Sequence, residues 1–205
     1  MRIFLTGGTG YIGRALALRL RQDGHEVRAL IRSEARAAPL REMGALTFPG
    51  DITDRASLRI GMSGADWVIH AAAELSLAAS DDRIAGANVA GSENVASLAY
   101  KLGVGHFLSV SSMAFWGGSP EDGSLADEDS PPYLPFPTRY SATKHAGELV
   151  IREWAKRGLR VHSVYPSLVY GPPGKKEGAN FILRQLLLGR FPLLVGADRL
   201  TSWVF

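Results

Sequence analysis

The 205-residue chain contains no cysteine, which excludes disulfide staples, thiolate nucleophiles and cysteine-ligated metal. It has no run of about 18 consecutive apolar residues, the length a membrane-spanning helix needs. Nor does it show a charged leader followed by an apolar stretch and a small-residue cleavage site. Net charge is nearly absent as well, since 23 basic residues against 20 acidic leave +3. The basic residues are scattered instead of forming a patch, so neither nucleic acid nor a membrane surface is indicated as a partner. No internal repeat is visible. With 46% hydrophobic and 21% charged residues, the expectation is a soluble cytoplasmic protein with one sizeable core, or one core and a small appendage.

What the chain does have is glycine in telling places. A short apolar strand from Arg2 runs into Thr6-Gly7-Gly8-Thr9-Gly10-Tyr11-Ile12-Gly13 and then into a helical pattern carried by Ile12, Leu16 and Leu20. Gly7 allows a sharp turn off the strand, Gly10 lets backbone N–H groups approach an anion, and Gly13 lets the helix pack close to the strand. The helix N-terminus adds unpaired N–H groups and a partial positive charge. A glycine triplet alone is weak, because most glycine-rich turns are only turns. Here Gly24 closes the helix and Glu26 to Ile31 reads as a second strand, which completes a β-α-β unit with the glycines where a pyrophosphate would sit.

Strand and helix patterns continue to alternate. A helix is expected near Glu34 to Met43, a strand at Ala45 to Pro49, a short helix from Arg55 and a strand from Asp66 to His70. A long helix from Asp81 to Leu102 follows, then a strand from His106 to Val110, a helix from Thr138 to Lys156 and a strand from Arg160 to Tyr165. This alternation predicts an α/β fold, a doubly wound parallel sheet covered on both faces. The glycine- and proline-rich stretch from Gly117 to Pro137 interrupts it and reads as a wall or lid of a site.

Tyr140 and Lys144 stand four residues apart on the predicted helix and share a face. A free phenol has a pKa near ~10, and a neighbouring ammonium stabilises the phenolate. The pairing is common in helices with no function attached. Its company gives it weight, because Ser109-Val110-Ser111-Ser112 ends a strand in hydroxyls, and ligands of doubly wound sheets sit outside the carboxyl ends of the strands.

Taken together, these segments resemble the extended short-chain dehydrogenases/reductases, the NAD(P)-dependent epimerase/dehydratase group. The resemblance rests on Thr6 to Gly13, Gly50-Asp51-Ile52-Thr53-Asp54, His70-Ala71-Ala72-Ala73, Asn88 to Asn94, Ser109 to Ser112, Tyr140 to Lys144 and Tyr165 to Pro172, in the family's order along nearly the whole chain. It implies a Rossmann domain over residues 1–174 that also carries the catalytic residues, and the start of a substrate lobe over residues 175–205.

The resemblance also implies roles. Tyr140 would be the general acid or base, and Lys144 would hold the nicotinamide ribose and lower the tyrosine pKa. Ser112 would orient the reacting oxygen, with Ser111 as a competitor one residue away. Asn88 would act from the helix beneath the site, or simply make a structural hydrogen bond. Gly7, Thr9, Gly10, Tyr11, Ile12 and Gly13 would cradle the pyrophosphate, and Asp51 and Ile52 would contact the adenine. Ala71, Ala72 and Ala73 would line the ribose and phosphate path, while Pro166, Ser167 and Leu168 would flank the nicotinamide. No metal is implied.

The second strand ends Leu30-Ile31-Arg32-Ser33, with an arginine near the place where an NAD-selecting carboxylate is expected. Arginine pairs with the 2′-phosphate of NADP, so NADP is favoured over NAD. The alternative is that Arg32 is a solvated residue paired with Glu34 or Glu42. Sugar-nucleotide members of the family carry asparagine where this chain has Leu168, and Pro131 to Pro137 is apolar and aromatic. Both features lean toward the dihydroflavonol reductase and 3β-hydroxysteroid dehydrogenase-like branch and hydride transfer at a carbonyl or secondary alcohol of a small-molecule substrate. A sugar or nucleotide-sugar epimerase/dehydratase is the alternative within the family. A non-catalytic NADP-sensing protein is the alternative from another class, although it would not need Tyr140 and Lys144. Family members normally continue past this point, so the helix expected at Asn180 to Arg190 and the strand at Phe191 to Val195 read as the opening of an incomplete C-terminal substrate lobe, with truncation or completion by a partner as the explanations. The long helices near Asp81 and Thr138 offer a face for a homodimer.

Overall fold

A computed structural model describes residues 1–76, 78–118, 120, 124, 126–172, 178–190 and 202–205. Six strands form one parallel sheet: β1 (Arg2–Thr6), β2 (Glu26–Ile31), β3 (Leu46–Pro49), β4 (Trp67–His70), β5 (His106–Val110) and β6 (Val161–Val164), in the order β3-β2-β1-β4-β5-β6. The order reverses at β1, which leaves a crevice between the carboxyl ends of β1 and β4.

Alternation along β1 shows how the sheet is buried on both sides. Ile3 and Leu5 point to one face with Val27, Ile31, Leu40 and Ile69, beneath α1 (Tyr11–Gln22) and α2 (Ala38–Glu42). Phe4 points to the other, with Leu58, Val68, Val95, Phe107 and Trp154 beneath α3 (Arg55–Met62), α5 (Gly91–Lys101) and α6 (Arg139–Lys156). Side chains of successive strand residues point to opposite faces, so a strand buried on both sides is apolar along most of its length, with polar Thr6 of β1 and His70 of β4 reserved for the carboxyl ends.

Two expected helices are broken. The segment from Glu34 to Met43 splits into a 3-10 turn (Glu34–Arg36) and α2, because Pro39 has no N–H for the bond that a continuous helix would make to Ala35. The helix expected from Asp81 to Leu102 is α4 (Asp81–Ala85), a π turn (Gly86–Ala90) and α5. The inserted turn widens the helix where α6 crosses it. Gly147 of α6 packs so closely there that a Cβ would lie 2.1 Å from the Asn88 carbonyl oxygen.

After β5 the chain makes a 3-10 turn (Met113–Trp116), and the described residues from Gly117 to Pro137 contain no helix or strand. They are tied to the turn by Tyr133 N–H to the Trp116 carbonyl at 2.7 Å and by Trp116 Nε1 to the Ser130 carbonyl at 3.1 Å. Beyond β6, β7 (Leu168–Val169) pairs in parallel with β8 (Trp203–Val204), and α7 covers Asn180–Leu187. The strand expected at Phe191 to Val195 and the boundary expected at 174/175 lie outside the described residues.

Candidate active site

The glycine loop leaves β1 at Gly7, whose φ of +74° is a left-handed conformation that favours glycine. A Cβ there would stand 2.5 Å from the Ala71 carbonyl carbon, and a Cβ on Gly13 would stand 2.1 Å from the Gly7 carbonyl oxygen. The loop is therefore pressed against both the segment after β4 and the start of α1. Gly10 N–H donates to the Gly7 carbonyl at 2.9 Å, which closes the turn.

Asp54 and Thr138 cap α3 and α6 with their side chains, but the N-cap of α1 is Gly10, which offers no side-chain cap, and no acidic residue lies in the helix's first turn. Its orphan N–H groups and positive end stay available for an anion. The cradle fits a dinucleotide pyrophosphate. Thr9, Tyr11 and Ile12 complete it half-buried, and Tyr11 donates its phenol proton to the Gly171 carbonyl at 2.6 Å while accepting from Asn180 Nδ2 at 3.0 Å.

Ala71, Ala72 and Ala73 run past this loop, also half-buried. Ala71 N–H donates to the Thr6 carbonyl at 3.2 Å and Ala72 N–H to Thr6 Oγ1 at 3.3 Å. Thr6 Oγ1 meets His70 Nδ1 at 2.8 Å, and His70 Nε2 meets Ser92 Oγ at 3.1 Å. Burial, helped by the charge of Lys144, pushes the His70 imidazole down to about 3, so it sits beneath the crevice as a neutral ring.

At the other end of the crevice is a cleft of about 240 Å³ walled by Ile31 to Glu34 and Pro49 to Asp51. Arg32 is exposed at its rim and has no hydrogen-bond or ion-pair partner among the described residues. Glu34, the partner considered for it, instead pairs with Arg41. The Asp51 carboxylate accepts from Thr53 N–H at 2.9 Å and Thr53 Oγ1 at 2.8 Å, which shapes the loop. Ile52 is buried in the core, with its carbonyl held by Asn94 Nδ2 at 3.1 Å.

The third part of the site lies beyond β5. Ser112 caps the 3-10 turn, accepting from Ala114 N–H at 3.1 Å, and its hydroxyl lies close enough to the Tyr140 phenol to favour the phenolate. Ser111 is 5% exposed and its hydroxyl has no hydrogen-bond partner among the described residues. Lys144 donates to the Val110 carbonyl at 3.2 Å, so the three side chains gather at the end of one strand. Burial pushes the Tyr140 phenol above its ordinary value, and the neighbouring Ser112 hydroxyl pulls it partly back. Burial brings the Lys144 ammonium down to about 8, and the Glu148 carboxylate opposes that fall. The Pro166 carbonyl accepts from Met113 N–H at 3.1 Å, which lays Pro166, Ser167 and the exposed Leu168 beside the Ser112 turn.

Asn88 is 3% exposed and its side chain is fully engaged. It accepts from Glu74 N–H at 2.8 Å and donates to the Glu74 carbonyl at 3.1 Å and to Thr143 Oγ1 at 3.0 Å. It thus ties the segment after β4 to α6 one residue before Lys144. Sequence reasoning overlooked Gly147, Asn180 and Glu148. The signal for Glu148 was its place four residues after Lys144, on the same helical face.

An all-parallel sheet reversing at β1, with a glycine loop and an uncapped helix at the crevice, defines a doubly wound dinucleotide-binding protein. The chain belongs to the NAD dependent epimerase/dehydratase family, whose sequence model matches residues 3–201. It is 37% identical over 175 residues to a 4-hydroxy-2-methyl-3-oxo-4-farnesyl-3,4-dihydroquinoline-1-oxide ketoreductase of Stigmatella aurantiaca, covering 83% of this chain and 51% of that protein. It is 33% identical over 171 residues to a putative dihydroflavonol 4-reductase of Synechocystis, covering 82% and 49%. The chain therefore spans about half the length of these relatives. Among solved structures, the dTDP-glucose 4,6-dehydratase DesIV of Streptomyces venezuelae, with NAD and TYD bound, superposes with a TM-score of 0.80 at 28% identity, covering 100% of this chain and 68% of that one. No described helix is long and apolar enough to cross a membrane, and no described cluster of three or more His, Asp or Glu side chains could hold a metal ion.

Proposed function

We propose that this chain carries the cofactor site and catalytic residues of an NAD(P)-dependent reductase, with NADP favoured, acting on a carbonyl or secondary alcohol of a small, weakly polar organic molecule. The observation that carries the proposal is the convergence of Ser112, Tyr140 and Lys144 at the carboxyl end of β5, beside the glycine-loop crevice.

The nicotinamide, when bound, supplies hydride to the carbonyl carbon or accepts it from the alcohol. In the reducing direction Ser112 and Tyr140 donate hydrogen bonds to the carbonyl oxygen, which polarises it. As negative charge develops on that oxygen, Tyr140 transfers its phenolic proton to it. Lys144 holds the ribose hydroxyls and, as a cation, makes the phenol a better proton donor. Asn88 keeps Thr143, and with it this part of α6, in register with the segment that lines the ribose.

The guanidinium of Arg32, without a hydrogen-bond or ion-pair partner among the described residues, stands beside the cleft between β2 and β3 and supports NADP, because a 2′-phosphate would give it a bidentate partner. The ketoreductase and dihydroflavonol reductase relatives support reduction of a carbonyl. One observation favours the second reading, nucleotide-sugar dehydration or epimerisation: a dTDP-glucose 4,6-dehydratase of Mycolicibacterium smegmatis is 30% identical over the full chain. An NADPH-consumption screen separates the two. We expect turnover with flavonoid-like, steroid-like or simple aromatic ketones. Turnover of nucleotide sugars alone, with no net NADPH consumed, would reverse the assignment.

A further inference from the structure

We infer that the Glu34–Arg41 ion pair sets the NADP preference of the cleft between β2 and β3. Glu34 is the specificity-determining residue, whose bare charge would repel a 2′-phosphate, and Arg41 is the positioning residue that neutralises it. The inference rests on the reading above, in which Arg32 receives that phosphate.

The side chains that line the cleft do not by themselves favour an anion. They set one cation, Arg32, against two acids, Glu34 and Asp51. The donors to Asp51 are neutral, since Thr53 N–H and Thr53 Oγ1 hold its carboxylate at 2.9 and 2.8 Å and leave the charge in place. A phosphate monoester brings nearly two further negative charges. Such a lining suits a ribose hydroxyl, which donates to a carboxylate, better than it suits a phosphate.

Arg41 of α2 changes that balance from outside the lining. Its Nη2 donates to the Glu34 carboxylate, and its Nε donates to Thr47 Oγ1 of β3 at 3.0 Å, which anchors the guanidinium to the sheet. With Glu34 so paired, Arg32 faces one uncompensated acid instead of two. Arg36, the other cation of the 3-10 turn, lies outside the lining and leaves this role to Arg41. Folding stability does not account for the pair. The Arg41 and Glu34 side chains remain 50% and 60% exposed, and an ion pair so open to water contributes little to holding the chain together. What it can do is set the local potential that an incoming anion meets.

Fluorescence titration with NADPH and with NADH tests this on the parent chain, Arg41→Ala, Arg41→Lys and the double variant Arg41→Ala/Glu34→Gln. Arg41→Ala bares the Glu34 charge, and we expect it to weaken NADPH binding by about fivefold while NADH stays within about twofold. Arg41→Lys keeps the charge and should recover most of the loss. Adding Glu34→Gln to Arg41→Ala removes the repulsion and should return NADPH affinity to near the parent's, which the loss of a purely structural tie would not allow. The Arg41→Ala effect should also fade at about 1 M salt, where the Debye length is about 3 Å. A double variant as weak as Arg41→Ala, or equal losses for the two cofactors, overturns the inference. Arg32→Asp in the same titration separates the two ways of failing. A lost NADPH preference in Arg32→Asp with none lost in Arg41→Ala strikes the ion pair alone, whereas no change in either variant removes the 2′-phosphate from this cleft and the inference with it.

Discussion

Single side chains carry the proposed chemistry, and two of them separate cofactor choice from structural charge. Arg32 stands at the rim of the cleft between β2 and β3, with no hydrogen-bond or ion-pair partner among the described residues. Arg32→Asp should weaken NADPH binding by roughly tenfold to a hundredfold, the worth of a charge-assisted pair at about 1.5–3 kcal/mol, while leaving NADH binding nearly unchanged. Fluorescence titration measures both, and equal losses for the two cofactors would remove Arg32 from 2′-phosphate recognition. His70 acts on stability. Its folded pKa of about 3 lies below the ordinary 6.5, so between those values the unfolded chain binds a proton that the folded chain refuses. Stability from this group is present above pH 6.5 and falls as pH falls through the window, by up to about 1.4 kcal/mol per pH unit. Urea midpoints measured from pH 7 to 4 should therefore drop less steeply for His70→Asn than for the unsubstituted chain. Parallel curves would show that the ring is not held neutral.

Among the elements, the first β-α-β unit was the most legible from sequence. Gly7, Gly10 and Gly13 sit at fixed spacing between an apolar strand and a periodic helix, and such local chemistry needs no distant partner. The pairing of Tyr140 with Lys144 was readable for the same reason. The π turn at Gly86–Ala90 was not, because the apolar spacing on either side of it still reads as one helix. Only the approach of Gly147 from α6 shows where the extra width lies. Gly147→Ala would drive a Cβ to 2.1 Å from the Asn88 carbonyl, and we expect a loss of about 1–3 kcal/mol from overpacking. Urea denaturation measures it, and a variant as stable as the parent would show that the two helices part without strain. Glu148 was equally hidden. In the sequence it is one more polar helix residue, and its buried hydrogen bonds emerge only when Ser109, Ser163 and Tyr165 arrive from β5, β6 and the following segment.

Across the whole molecule, the parallel sheet brings three separate stretches to one edge. The glycine loop comes from residues 7–13, the 2′-phosphate candidate from the end of β2, and the proposed redox group from the end of β5 and from α6. The sheet order β3-β2-β1-β4-β5-β6 places them in the sequence that an extended dinucleotide would meet, from adenine to nicotinamide. Tyr11 adds a long-range tie, joining the glycine loop to Gly171 and Asn180 across more than 150 residues of chain. That tie and the β7–β8 pairing follow from tertiary geometry and left no periodic mark in the sequence. The most direct measurement is NADPH oxidation with a reactive ketone, run together with NADPH titration, on the parent chain and on Tyr140→Phe. The parent should turn over, and the variant should bind NADPH within a few-fold while losing at least about a hundredfold in kcat. A variant that keeps the parent's rate would contradict proton transfer by Tyr140.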